Sequence, residues 1–430
     1  MPGTRPLSAP SRIALLSPGW PAHAMPNGIV TYTSTMVRAL GDRGMKCHVL
    51  THRPVGGTAE DFVHGVHLES ESFLWRLRHR LDWEGWPQKS FAMALRREVC
   101  RLHETRGIEL LEIEESYGWA RLLAGKVPVP VVVRLHGPWF LNGAANGARE
   151  DAAFRRRHDW EMEGLAAADA VSAPSADVLR RSLEQLKESG RNAPALAEAI
   201  ANPVERVAAA DRWKLQDCDR SRIAFVGRFD RHKGGDLMIE AFAEVLRRRP
   251  DARLDFVGPD RGCVDETGTH WSLDDYLKSR LPDRGRGRIT VYGFQSPQQA
   301  ARLRKQALVT AAPSRYETFS LAAGEAMMAG CPLVVSGAGA LTELVQHGRN
   351  GLTARPGNPQ DLAAKILDLM DNPSQAAQLG QQAAADAETR YAPDVVAGRM
   401  LDFYGRVLSR DRTVNGYSEQ ASAKPASVSA

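Results

Sequence analysis

The sequence predicts an α/β protein made of two doubly wound parallel sheets that face each other across a cleft. Three observations carry that reading. Short apolar runs alternate with helical segments, which argues for parallel strands joined by crossover helices. The alternation breaks near Asn202-Pro203-Val204 and then restarts, and 430 residues suit two domains better than one. Polar and glycine residues (Gly28, His136, Arg228, Gly293, Glu317, Ser336) recur at the carboxyl ends of the runs, where open parallel sheets bind ligands.

In the first half, Ile13–Ser17 is a short strand followed by a Gly/Pro loop through Gly28 and a helix over about Ile29–Leu40. Cys47–Thr51 is a second strand after the Gly41–Gly44 turn, and Ile108–Ile113 a third. The β-branched run Val129–Leu135 ends at His136-Gly137-Pro138, and Ala170–Ala173 is another short strand. In the second half, Ile223–Val226 leads into Gly227-Arg228, and a helix follows over about Gly235–Arg249. Leu254–Val257 ends at Gly258-Pro259, Ile289–Val291 at Gly293, Leu308–Ala312 at the Glu317 loop, and Leu333–Val335 at Ser336-Gly337. The resulting division is a flexible N-terminus over 1–11, a domain over 12–204, a second domain over 205–392, and a disordered polar tail over 409–430.

Composition excludes several classes. The chain is 43% hydrophobic and 25% charged, as soluble globular proteins are. No window approaches the roughly 18 unbroken apolar residues of a membrane span, and the Pro- and Ser-rich start lacks an apolar signal core. Five scattered cysteines, with no CxxC pair, suggest neither a disulfide framework nor a zinc site and fit a reducing cytoplasm. A net charge of +5 without a recognition motif does not indicate nucleic acid.

The chemistry concentrates in the second half. Glu317 and Glu325 have seven residues between them, following a strand and entering a short helix that stops at Gly330. Eight residues of helix span roughly 12 Å, whereas retaining hydrolases hold their two carboxylates about 5–5.5 Å apart. The pair therefore suits gripping hydroxyls at two ends of a long ligand better than acid–nucleophile work on one bond. A nucleotide-sugar is such a ligand, its diphosphate facing the helix N-terminus near Ser320. The plain alternative is a surface acid and a helix acid with no shared task. Arg228 and Lys233 stand five residues apart on a glycine-bounded loop, suited to a phosphate or equally to a solvated charge run. The turn Gly337-Ala-Gly339-Ala340 precedes a helix and offers backbone N–H groups. No GxGxxG follows the first strand, which counts against a nicotinamide enzyme.

Together these residues resemble the family 4 retaining glycosyltransferases of GT-B fold. The matching text is Val226-Gly227-Arg228 with Lys233-Gly234, the run Glu317 to Glu325 continuing to Gly330-Cys-Pro332, and Glu343 to Leu352. Asn27-Gly28-Ile29-Val30 and Arg134-Leu135-His136-Gly137 match more thinly. The resemblance implies that Arg228 and Lys233 hold the donor diphosphate, Glu325 the ribose hydroxyls and Glu317 the donor sugar. The amides around Thr318, Phe319, Ser320 and Leu321 would lie near sugar and phosphate. His136 would stand near the transferred sugar, Gly28 would let backbone approach the phosphate, Gly227 would belong to the clamp loop, and Gly293-Phe294 would lie beside the nucleobase. The implied catalytic group is His136, Arg228, Lys233 and Glu317. Two departures from the family pattern, Asn27-Gly28 and Gly339-Ala340 in place of paired glycines, imply changed loops rather than a lost site.

The implied reaction moves a sugar from a nucleotide diphosphate donor to an acceptor hydroxyl with retained configuration. The donor phosphate helps to take the proton, so no protein base is needed. No cofactor is expected beyond the nucleotide-sugar co-substrate, and no DxD pair marks an essential metal. The N-terminal domain would take the acceptor, a sugar or a lipid-linked one, and a helix over 394–408 would cross back onto it. Phe73–Trp86 mixes aromatics with cations, as does Arg155–His158, which suits either peripheral contact with the inner membrane face or ordinary snorkelling arginines. The acids Glu112, Glu114 and Glu115 either meet the acceptor or form a solvated face. An epimerase of the same fold and a catalytically silent nucleotide-sugar binder are the alternative functions.

Overall fold

The computed structural model describes residues 10–22, 25, 27–52, 60–68 and 85–410. Most of the 1–11 start, the Phe73–Trp86 segment as far as residue 84, and the tail beyond 410 lie outside the described residues. The first sheet has seven parallel strands: β1 (Arg12–Ser17), β2 (Lys46–Thr51), β3 (Val63–Gly65), β4 (Leu110–Glu114), β5 (Val131–Arg134), β6 (Ala170–Ala173) and β7 (Ala197–Ala199). Their spatial order is β3-β2-β1-β4-β5-β6-β7. The second sheet, in the order β12-β9-β8-β13-β14-β15, is also parallel. Its strands are β8 (Asp219–Val226), β9 (Arg253–Val257), β12 (Ile289–Gly293), β13 (Ala307–Ala312), β14 (Leu333–Ser336) and β15 (Leu352–Ala354). An antiparallel hairpin, β10 (Cys263–Val264) with β11 (His270–Trp271), stands apart from both sheets.

The central strands are apolar on both faces because helices cover both faces. Ile13, Leu15 and Leu110 belong to one core layer of the first sheet, and Ala14, Leu16, Leu111 and Ile113 to the other. Every internal strand expected from sequence is present. Strands β3, β7 and β15 were not anticipated: each is a three-residue sheet edge, too short to show a period. The hairpin β10–β11 was also missed, because two-residue strands carry no pattern.

The helices used below are α1 (Gly28–Gly41), α2 (Trp86–Arg106), α3 (Trp139–Ala145), α4 (Ala152–Ala167), α5 (Ala176–Glu188), α6 (Gly235–Arg248), α7 (Pro297–Gln306) and α8 (Leu321–Ala329). They are followed by α9 (Pro359–Asp371), α10 (Pro373–Arg390) and α11 (Pro393–Ser409). Although last among the described helices, α11 packs beside α1 on the first sheet, with Met400, Phe403 and Tyr404 fully buried. Glu112 on β4 ties it there. Its carboxylate accepts from Tyr32 Oη of α1 at 3.0 Å and from Tyr404 Oη at 2.7 Å. Burial pushes the Glu112 carboxyl above its usual range, against the opposing pull of Arg134 and the two phenols.

Tyr404→Phe removes one of the two donors to this buried carboxylate. It should cost about 1–3 kcal/mol of stability, since a buried acceptor is left short of a partner. Urea unfolding measures it, and a midpoint equal to wild type would show that the Tyr404 bond does not hold α11 in place.

Candidate functional site

In both sheets the strand order reverses beside the first strand, and crevices open at such points outside the carboxyl ends. In the second sheet the loops after β8 and β13 meet there. Gly234 has φ +69°, and a Cβ on it would stand 2.2 Å from the Pro313 carbonyl oxygen. Only glycine permits that approach. It brings Lys233 Nζ to 2.7 Å from Glu317 Oε1, which also accepts from Ser314 Oγ at 2.7 Å. Burial pushes the Glu317 carboxyl up, but Lys233, His232 and the hydrogen bonds from Lys233 and Ser314 together outweigh it, and the group lies below its usual range. Glu317 is therefore a buried anion, and its Oε2 takes no hydrogen bond among the described residues. Asp230 organises the same loop, accepting from Arg228 Nε at 2.6 Å and from the Lys233 amide at 2.7 Å.

The interval from Glu317 to Glu325 is not one helix, so the roughly 12 Å helical spacing does not apply. Helix α8 starts only at Leu321, and Ser320 before it is left-handed with φ 72°, leaving the N-terminus without a side-chain cap. A non-glycine residue held there is locally strained. Glu325 points elsewhere: its Oε2 accepts from Arg304 Nη2 of α7 at 2.7 Å. Arg304 is 3% exposed, and its Nε and Nη1 have no partner among the described residues. Sequence reading missed Arg304, because it sits in the polar run Arg302-Leu-Arg-Lys305 that looks solvated.

The other expected positions divide. Phe319 is in the core against Tyr391, so only its backbone can reach a ligand. The Thr318 hydroxyl donates to the His136 carbonyl at 2.7 Å and is spent on joining the domains. Leu321 faces Gly28, where a Cβ would stand 3.9 Å from Leu321 Cδ1. Gly227 packs over Phe225, whose Cζ a Cβ would meet at 2.9 Å. Gly293 ends β12, and Phe294 after it is 60% exposed, a large apolar ring left in solvent. Both departures from paired glycines have local causes. Asn27 caps α1, its Oδ1 accepting from the Ile29 amide at 2.8 Å. Ala340 has φ −63°, which needs no glycine, whereas Gly339 at φ +55° lies where a Cβ would be 2.5 Å from the Glu317 carbonyl oxygen. The Ala340 amide is already committed to that carbonyl at 2.9 Å.

On the first-domain side, Glu115 orients the His136 loop. Its carboxylate accepts from the His136 amide at 2.8 Å and the Gly137 amide at 2.6 Å. The His136 ring lies edge-on to Tyr32, with centroids 4.9 Å apart. Burial, helped by the Arg134 cation, holds the imidazole well below its ordinary value, so it is neutral at neutral pH. Arg134 is 1% exposed, bonds Asn202 Oδ1 at 2.6 Å and lies over the Tyr32 ring. Glu112, Glu114 and Glu115 are all buried, so none forms a solvated face. Glu112 and Glu115 hold structure. Glu114 is pushed up to about 7 by burial and by Glu115 beside it. The basic run Arg155–His158 lies on α4, where Arg155 and Arg156 are exposed. Arg157 instead lies over Trp139 and Tyr117 and bonds Glu161.

The two domains face each other through polar contacts around this cleft. Glu343 caps α5 of the first domain, accepting from the Ala176 and Asp177 amides at 3.0 and 2.8 Å. Tyr316 Oη donates to Asp177 at 2.9 Å, and its ring joins the core of the first domain. Among the described residues, no group of three His, Cys, Asp or Glu side chains is placed to hold a metal ion.

Two outcomes follow for stability. Glu325→Ala strands the buried Arg304 guanidinium and should cost about 2–3 kcal/mol, because a desolvated charged donor is left unpaired. Arg304→Met combined with Glu325→Ala should recover most of that loss, and strict additivity in the cycle would rule out the coupling. Lys233→Ala should destabilise more at pH 7 than in acid. A carboxyl lowered on folding contributes above the unfolded value, 4.5 for Glu317, and loses that contribution as pH falls through its folded value. Equal losses at pH 7 and pH 3 would exclude the ion pair as the cause.

Comparison with known proteins agrees with this architecture. The Glycosyltransferase Family 4 model matches residues 26–191, and the model for Glycosyl transferases group 1 matches residues 209–386. D-inositol 3-phosphate glycosyltransferase 2 of Catenulispora acidiphila is 27% identical over 93% of this chain and 96% of its own length. An uncharacterized glycosyltransferase of Methanocaldococcus jannaschii is 31% identical over 44% of this chain and 46% of its own length. Among solved structures, Anabaena Alr3699/HepE in complex with UDP and glucose superposes with TM-score 0.65 at 19% identity, covering 91% of this chain and 98% of that one. Sucrose-phosphate synthase from Thermosynechococcus elongatus gives TM-score 0.67 at 20% identity, covering 92% and 99%. With both halves matched in order and the two sheets in place, this chain belongs to the family 4 glycosyltransferases of GT-B fold.

Proposed function

We propose that the protein transfers a sugar from a nucleoside diphosphate sugar to an acceptor hydroxyl, with retention of anomeric configuration. The observation that carries this reading is the loop after β8. Asp230 fixes Arg228, and Lys233 is locked onto Glu317, beside the uncapped N-terminus of α8. That is a preorganised receptor for a departing diphosphate, and such charge stabilisation is often the largest single contribution to catalysis. Glu317 Oε2 suits a donor-sugar hydroxyl, Glu325 the ribose, and exposed Phe294 the nucleobase. Neutral His136 suits hydrogen bonding to the transferred sugar better than charge stabilisation.

In the reaction the bond from the anomeric carbon to the phosphate oxygen breaks, and its electron pair leaves with the diphosphate. The acceptor oxygen bonds the same carbon from the same face, and its proton passes to the departing phosphate. No protein base is needed, which fits a His136 whose basicity is suppressed. The donor class agrees with the UDP-glucose bound in the Anabaena neighbour, and a soluble sugar or lipid-linked acceptor in glycan or glycoconjugate synthesis completes the reading. The proposal takes the enzyme to work in the cytoplasm without a metal or further cofactor.

A panel of UDP-, GDP- and ADP-sugars, with and without acceptors, tests the reading through nucleoside diphosphate release and NMR of the product anomer. Acceptor-dependent release with retention is expected. A C-epimerised donor with no transfer would favour an epimerase, and binding without turnover a silent receptor. Arg228→Ala should lower kcat by about 10²–10³-fold, the usual cost of one transition-state donor, while leaving the unfolding midpoint near wild type. Its partly exposed guanidinium, paired with an Asp230 that also keeps the Lys233 amide, makes it a cleaner probe than Lys233, whose removal takes the cation from the more deeply buried Glu317. The pH profile of kcat should show no inflection near 6.5 that vanishes in His136→Ala; such an inflection would mean that the histidine titrates in turnover.

A further inference from the structure

We infer that a second anion-binding pocket lies beside the donor clamp and takes a phosphate or carboxylate carried by the acceptor. The inference rests on the transfer reaction proposed above. A cavity of about 420 Å³ opens between the domains at the carboxyl ends of β8 and β9. Arg228, Arg231 and Arg261 line it from the second domain, and Asn146, just after α3, lines it from the first. Arg261 stands at the base of the hairpin β10–β11 that the sequence did not announce. The domains are close here: a Cβ on Gly147 would lie 3.4 Å from Arg231 Cδ.

The charges around the cavity do not balance. Asp230 is the one acid among its lining residues, and its two oxygens are already engaged by Arg228 Nε and the Lys233 amide. Among the described residues, neither the Arg231 nor the Arg261 guanidinium has an ion pair or a side-chain hydrogen bond. Guanidiniums converging on one space repel one another and are matched by an oxyanion with bidentate geometry. The donor diphosphate already has Arg228, Lys233 and the start of α8. Arg231 and Arg261 are therefore surplus to the donor, and Asn146 places them on the side from which an acceptor enters. A neutral sugar acceptor would leave this charge unused.

The experiment titrates the full chain, with its donor site saturated by UDP, with inorganic phosphate, glucuronate or glucose in calorimetry. Phosphate, glucuronate or both should bind and glucose should not, with the preferred anion identifying the acceptor's charged group. In Arg231→Gln/Arg261→Gln the anion affinity should fall at least tenfold while the UDP Kd stays within twofold of wild type. The pocket is overturned if neither anion binds the UDP-saturated protein, if the double variant binds them as tightly as wild type, or if UDP competes them away. In the last case the cavity is only the outer end of the donor site. Failure of UDP itself to bind would count against the proposed reaction instead, and the same titration without UDP, read in both proteins, then decides the pocket on its own.

Discussion

Lys233 and Glu317 can meet only because Gly234 lacks a side chain. The contact of its backbone with the Pro313 carbonyl closes the gap between the β8 and β13 loops. Everything else in the second-domain site hangs on that approach. Asp230 reaches both Arg228 and the Lys233 amide from within the same turn, so the cations arrive as one unit. The β13 loop then has five residues between Pro313 and Phe319 in which to place a carboxylate and start a helix. Ser320 takes up the conflict as a left-handed residue. A strained residue at a helix start is where local propensity yields to the surrounding loop.

The cleft is set as much by capping as by packing. Glu343 belongs to the second domain yet satisfies the first-turn amides of a first-domain helix. Tyr316 inserts from the β13 loop into the opposite core, and Thr318 ties the same loop to the His136 carbonyl. One short segment, Tyr316 to Thr318, therefore holds the ion-paired acid and two of the inter-domain contacts. The domain interface and Glu317 are thus joined through consecutive residues. Helix α11 ties the two domains a second time, since the chain leaves the second domain and buries this helix on the first.

Buried charge is used unevenly. In the first domain, Glu112, Glu115 and Arg134 serve architecture: the acids gather tyrosine and amide donors, and the arginine reaches Asn202 near the crossing between domains. In the second, Arg304 is desolvated almost completely for one contact with Glu325. Burying a guanidinium for a single half-exposed partner is a poor route to stability. It does fix one rotamer of the Glu325 carboxylate, the group assigned to the ribose in the proposed reaction.

The sequence by itself determined the fold class, the internal strands and the motifs of the second domain, because both depend on local signals. Apolar runs of four to six residues and the glycines ending them are read directly, and the two-domain break shows as an interruption of that rhythm. It also pointed to His136, Arg228, Lys233, Glu317 and Glu325 as a set. Only the tertiary structure decided what each one touches. Glu317 and Glu325 read as two grips on one helix, but one precedes the helix and pairs with a lysine 84 positions away, and the other pairs with an arginine from α7. The acids after β4 could not be sorted in sequence, because a buried carboxylate and a solvated one look alike until their donors, Tyr404 among them, come in from elsewhere in the chain. Arg304, Arg231 and Arg261 were illegible for the same reason. Burial and missing counter-charges are properties of packing, and no spacing along the chain records them.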